Sequence, residues 1–108
     1  MLRAFLFLIP ACLFAQSQPQ WVDSIYTKMS LDQKIGQLFM VVAFPDGNFS
    51  TQQKTIHQIK KQHIGGVLFS KGSSIKQLQD RKRYQRFSET PLLVAADAEW
   101  GMAMRLQD

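Results

Sequence analysis

Ile64-Gly65-Gly66-Val67-Leu68-Phe69 is a short apolar run entered through two glycines. Its hydrophobicity is continuous rather than alternating, the pattern of a strand buried on both faces in a parallel sheet. Upstream, the segment from Gln37 to Phe44 contains a similar run, Leu-Phe-Met-Val-Val-Ala. Downstream, Leu92-Leu93-Val94-Ala95-Ala96 is a third. The runs recur about 27 residues apart, and what separates them reads as helix. Ser50 is placed to cap a helix from Thr51 to about Gln62, with Ile56 and Ile59 turned inward at i, i+3 spacing. Ser74 is placed to cap another from Ile75 to about Phe87, ended by Thr90-Pro91. Pro45-Asp46-Gly47-Asn48 is a turn signal and Lys71-Gly72-Ser73-Ser74 a loop.

Strand, helix, strand, helix, strand is the order of an α/β protein with a parallel sheet and right-handed crossovers. Two architectures satisfy that order: an open doubly wound sheet, or the opening of a (β/α)8 barrel. The doubly wound reading wants a glycine-rich phosphate loop after the first strand, which Pro45-Asp46-Gly47 does not supply. A barrel takes roughly 250 residues, so this chain would hold about its first third, with one edge and one face of the sheet left open.

Ahead of the first strand, Ser30 with Gln33 three residues later makes a capping-box pattern before Leu31, Ile35 and Leu38. Residues 16–29 read as a tether and a short helix, with one or two helical turns between Trp21 and Met29. At the start, Arg3 supplies a positive region, Ala4 to Phe14 an apolar run of 11 residues, and Ala15 a small residue before polar Gln16-Ser17-Gln18. That run is short for a permanent membrane helix, and residues 1–15 read as a signal peptide for export to the periplasm or beyond. Ile9-Pro10-Ala11-Cys12 loosely resembles a lipid-attachment signal, but Pro10 and the apolar Leu13-Phe14 argue against it.

The composition is globular: of 108 residues, 45% are hydrophobic and 19% charged. Cys12 is the single cysteine, so neither an intrachain disulfide nor a cysteine metal cage can form. The formal charge is +5; without residues 1–15 it is +4, from 12 basic and 8 acidic residues. The basic stretch Arg81-Lys82-Arg83-Tyr84-Gln85-Arg86 falls within one expected helix and lacks a stacking platform, so it reads as a solvated helix face rather than a nucleic-acid site. His57 and His63 read as surface or helix-end residues, with no third ligand at coordination spacing, and no metal or other cofactor is expected.

In either architecture ligands gather at the carboxyl ends of the strands. Asp97 directly follows the third strand, in Ala95-Ala96-Asp97-Ala98-Glu99-Trp100-Gly101-Met102-Ala103-Met104-Arg105-Leu106. If the chain stays extended, Asp97 and Glu99 share a face about 7 Å apart, an arrangement open to a glycosidase carboxylate pair and equally to a solvated loop. Arg105 offers a fork of donors suited to sugar hydroxyls or a carboxylate, or is a surface residue. Trp100 either stacks on a sugar face or fills the core.

Taken together, the segment from Met29 to Leu106 resembles the N-terminal part of glycoside hydrolase family 3, in its bacterial β-N-acetylglucosaminidase branch. Ser30-Leu31-Asp32-Gln33-Lys34-Ile35-Gly36-Gln37-Leu38 is similar to the family's opening helix, Gly65-Gly66-Val67-Leu68-Phe69 to its second strand, and Leu92 to Arg105 to its third strand and following loop. The resemblance implies that residues 30–108 are the first three β/α units of an incomplete (β/α)8 barrel. It implies a retaining exo-glycosidase acting on terminal β-linked sugars, N-acetylglucosamine foremost and glucose as the alternative, with a saccharide as its partner and Asp97 and Arg105 as substrate-binding residues; the competing class is a non-catalytic carbohydrate-binding or accessory module. Glu99 then orients or packs. The family's Asp nucleophile and its His–Asp acid/base match no residue here, so this chain alone is expected to be inactive. Trp100-Gly101 stands where many members have two glycines.

Overall fold

The computed structural model describes residues 17–107; the expected signal peptide at 1–15, with Cys12, lies outside them. Four helices and three strands follow one another: α1 (Gln18–Tyr26), α2 (Leu31–Gly36), β1 (Met40–Ala43), α3 (Phe49–Gln62), β2 (Gly66–Phe69), α4 (Ser74–Phe87) and β3 (Leu93–Ala96), with a 3-10 turn at Met102–Met104. Among the described residues no helix is long and apolar enough to cross a membrane.

Three helices, α2, α3 and α4, begin where a short polar side chain holds an otherwise unpaired amide. Ser30 and Gln33 form the expected box: the Ser30 amide donates to Gln33 Oε1 at 2.8 Å and the Gln33 amide to Ser30 Oγ at 3.2 Å. The other two caps sit earlier than the sequence suggests. Asn48, rather than Ser50, starts α3, its Oδ1 accepting from both the amide and the hydroxyl of Thr51 at 2.9 and 3.0 Å. Ser73, rather than Ser74, caps α4 by accepting from the Lys76 amide at 3.4 Å. The stretch expected as a tether is helical from Gln18, which extends α1 to nine residues.

The strands pair in parallel in the order β1-β2-β3, with Met40, Gly66 and Leu93 in one row and Val41, Val67 and Val94 in the next. Rows alternate between the two sides of the sheet. Ala43, Val67 and Phe69 lie on the side covered by α3 and α4, in one core with Ile56, Ile59, Ile64, Tyr84 and Leu92. The Phe69 and Tyr84 rings stack there, centroids 6.3 Å apart. Burying a side chain of this size contributes about 1.5–3 kcal/mol. The other side is open: Met40, Val42 and Phe44 are exposed by nearly half, and Leu93 by 70%.

Two expectations are therefore corrected. The strands are buried on one face rather than both, because both crossover helices pack on the same side, α3 against α4. The first part of a (β/α)8 barrel is not what the chain forms: it is a small α/β unit of three parallel strands and four helices, α1 and α2 preceding the sheet. Three β/α units would need a helix after each strand, whereas among the described residues only α3 and α4 follow strands, β3 being followed by a 3-10 turn, and two helices precede the sheet.

Close backbone contact fixes the entry to β2. The Gly65 amide reaches the carbonyls of Gly36 and Phe39 at 3.1 and 3.0 Å, and a Cβ at Gly65 would lie 2.2 Å from the Gln37 carbonyl oxygen. The Gln37 side chain in turn donates to the His63 carbonyl at 2.7 Å, where His63 ends α3 in the left-handed conformation. Gly65 and, on α2, Gly36, whose Cβ would lie 2.1 Å from the Gln62 carbonyl oxygen, thus let α2 cross directly over the α3–β2 corner.

Candidate functional site

The loops that follow β1, β2 and β3 meet at the carboxyl end of the sheet, where ligands collect in parallel α/β proteins. After β3 the chain passes Asp97 and Ala98, turns at Glu99 and Trp100, and folds back through the 3-10 turn, the Gly101 amide donating to the Ala98 carbonyl at 2.9 Å. That reversal brings Arg105 to Asp97. Arg105 Nε donates to the Asp97 carbonyl, and a terminal guanidinium nitrogen lies 2.6 Å from Asp97 Oδ2. One residue thus receives two donors from one planar group, the geometry that makes arginine a fixed fork.

The two expected binding residues are therefore together, and their exposures differ. The Arg105 side chain is 25% exposed and that of Asp97 62%, so the arginine is held in place while the carboxylate keeps a solvent-facing surface. An ionised Asp accepts hydrogen bonds only, and a guanidinium donates only, so the pair offers both signs to a polyhydroxylated ligand. Glu99 lies exposed where the chain turns and is no longer extended. Trp100, at 86% exposed, is no core residue.

The loop is anchored to its neighbour. Gly72 and Leu106 form an isolated parallel bridge: the Gly72 amide donates to the Arg105 carbonyl at 2.9 Å and the Gln107 amide to the Gly72 carbonyl at 3.2 Å. Gly72 is held from the other side by Asp46, whose Oδ2 accepts from the Ser73 amide at 3.0 Å and whose Oδ1 lies 3.0 Å from Lys76 Nζ. Beside this contact lies an open hollow of about 410 Å³ lined by Phe44, Asp46, Gly47, Thr51 and Lys71. Asp46 and Lys76 were not among the residues singled out from sequence. The cue was Asp46's place in the loop after the first strand, with two residues between it and the strand's end, where Asp97 follows the third strand directly.

A somewhat larger hollow, about 480 Å³, opens near Gly36, Phe39, His63 and Ile64. These residues lie at the amino ends of β1 and β2, away from the strand ends where ligands gather, and it is not the candidate. His57 is exposed on α3, and His63 Nδ1 lies 3.9 Å from Glu89 Oε2. Arg81, Lys82 and Arg86 are exposed along α4, while Arg83 donates to Gln52 Oε1 at 3.2 Å. Among the described residues no three His, Cys, Asp or Glu side chains gather in a way that could hold a metal ion. No family model matches the chain, and neither does any curated protein.

Proposed function

We propose that this chain is a sugar-recognising part of a glycoside hydrolase of family 3, from the branch that removes terminal β-linked N-acetylglucosamine with retention. The observation that carries the reading is the Asp97–Arg105 fork at the carboxyl end of β3. Its support from sequence is the wording of Ser30 to Leu38, Gly65 to Phe69 and Leu92 to Arg105. In this reading Asp97 accepts hydrogen bonds from adjacent hydroxyls of the non-reducing sugar. Arg105 donates to the same sugar and holds the carboxylate in place. No residue of the chain is assigned as nucleophile or acid/base, so its part is recognition. Export, on the strength of residues 1–15, belongs to the same reading.

N-acetylglucosamine titrated into the labelled protein should move the resonances of Asp97 and the Arg105 side chain, and glucose should move them less. Asp97→Asn, which removes a charge-assisted acceptor, should weaken binding by about tenfold or more. An unchanged Kd would overturn the residue assignment, and release of chromophore from an aryl β-N-acetylglucosaminide would overturn the assignment to recognition alone.

A further inference from the structure

We infer that Asp46, from the loop after β1, is a positioning residue for Arg105, acting through the backbone of Gly72. The inference rests on the sugar-binding reading for its functional meaning and on the geometry of the three loops for its mechanism. Arg105 reaches Asp97 with its guanidinium only if its own backbone is held against the end of the sheet. That hold comes from Gly72: one amide and one carbonyl of this residue serve Arg105 and Gln107, at 2.9 and 3.2 Å. Gly72 follows a loop residue and precedes the cap of α4, so it depends on its surroundings for a fixed place.

Asp46 supplies that place. Its Oδ2 accepts from the Ser73 amide at 3.0 Å, the next residue along, and its Oδ1 is neutralised by Lys76 from the first turn of α4 at 3.0 Å. The approach is close enough that a side chain at position 72 would push the Asp46 carboxylate aside. A Cβ there would lie 2.8 Å from Asp46 Oδ2 and 3.1 Å from Cβ of Pro45, which is fully buried and cannot retreat. The loops after all three strands are thus joined in one series: the Asp46 carboxylate, the Gly72-Ser73 backbone, the Arg105 backbone, the guanidinium, and Asp97. Charge has a role at the first link and the last, and main-chain hydrogen bonds carry the middle.

The test follows the Arg105 Nε–H resonance, the melting temperature and the Kd for N-acetylglucosamine in Asp46→Ala, Asp46→Asn and Gly72→Ala, with Ile59→Val as a control that loosens the core far from the loops. In Asp46→Ala and Gly72→Ala, Nε–H should lose protection from exchange by about tenfold and Kd should rise by about tenfold, the loss expected for one hydrogen bond. Asp46→Asn keeps an oxygen acceptor for the Ser73 amide and should restore most of both. Ile59→Val should lower the melting temperature and leave both readouts unchanged. If Asp46→Ala fails to fold, Gly72→Ala and the Asn variant carry the test. An Arg105 Nε–H signal unmoved in Gly72→Ala, or moved equally in Ile59→Val, overturns the positioning role. If the unaltered protein binds no N-acetylglucosamine, the sugar reading fails, while the exchange measurement still decides whether Asp46 holds Arg105.

Discussion

Val67 and Leu68 are neighbours in β2 and lie in rows that face opposite ways. Val67 is fully buried among Ala43, Phe69, Ile59 and Tyr84, on the side where α3 and α4 pack. Leu68 shares its row with Val42, which is 48% exposed. The side chains are equally apolar on both sides, so burial here follows from where the crossover helices land and not from the hydrophobicity of the strand. A strand's apolar run is permission for cover rather than proof of it.

Damage to the covered side should therefore be expensive, and the same kind of change on the open side cheap. Phe69→Ala removes a ring stacked on Tyr84 and should cost about 3–5 kcal/mol in urea unfolding. A loss below about 1 kcal/mol would mean that the covered side is not where the stability resides.

Asp80 sharpens the contrast from within the covered side. It is buried on α4, its Oδ2 finds no hydrogen-bond partner, and burial pushes its carboxyl above the ordinary range against the pull of Arg83 and Lys76. With the folded-state value above the unfolded one, folding favours the protonated form. That stabilisation is complete below the ordinary carboxylate range and is lost as pH rises through the raised value. Asp80→Asn, neutral at every pH, should melt higher than the parent at neutral pH, and the gap should close on acidification. A parent that melts higher at neutral pH would show instead that Arg83 and Lys76 outweigh desolvation. Burial at Tyr84 likewise raises its phenol, helped by Asp80, so ionising Tyr84 in alkali should destabilise the fold.

The smallest effect belongs to the open side. Leu93, at 70% exposed, should tolerate Leu93→Thr within about 0.5 kcal/mol. A larger loss would reveal cover on this face that the described residues do not supply.

The order of elements was legible because hydrophobic runs and caps are local. Ser30 and Gln33 are three residues apart, and their box forms as written. Asn48 and Ser50 are both good caps, and only the backbone decides between them. It extends Asn48 into the β region and starts the helix at Phe49. The cover of the sheet was not legible, since no strand records on which side its crossover helix will pack. At the candidate site the same division holds. Asp97 and Arg105 are eight residues apart in one loop, within reach of a sequence argument. Asp46 meets Ser73 across 27 residues, and that pairing exists only after the parallel register of β1 and β2 has aligned their ends.

The sequential strand order also bears on how the chain comes into being. Because β2 lies between its two neighbours in sequence, β1 can pair with it, and α3 can settle on both, before β3 has been synthesised. At translation rates of roughly 5–20 residues per second, the stretch from Phe69 to Ala96 takes about one to five seconds to appear, ample time for a two-stranded nucleus with its helix to form. The contact between Asp46 and Ser73 becomes available next, and the reversal that brings Arg105 to Asp97 comes last. A chain that folds in the order in which it emerges would thus close the Asp97–Arg105 loop onto a surface already in place.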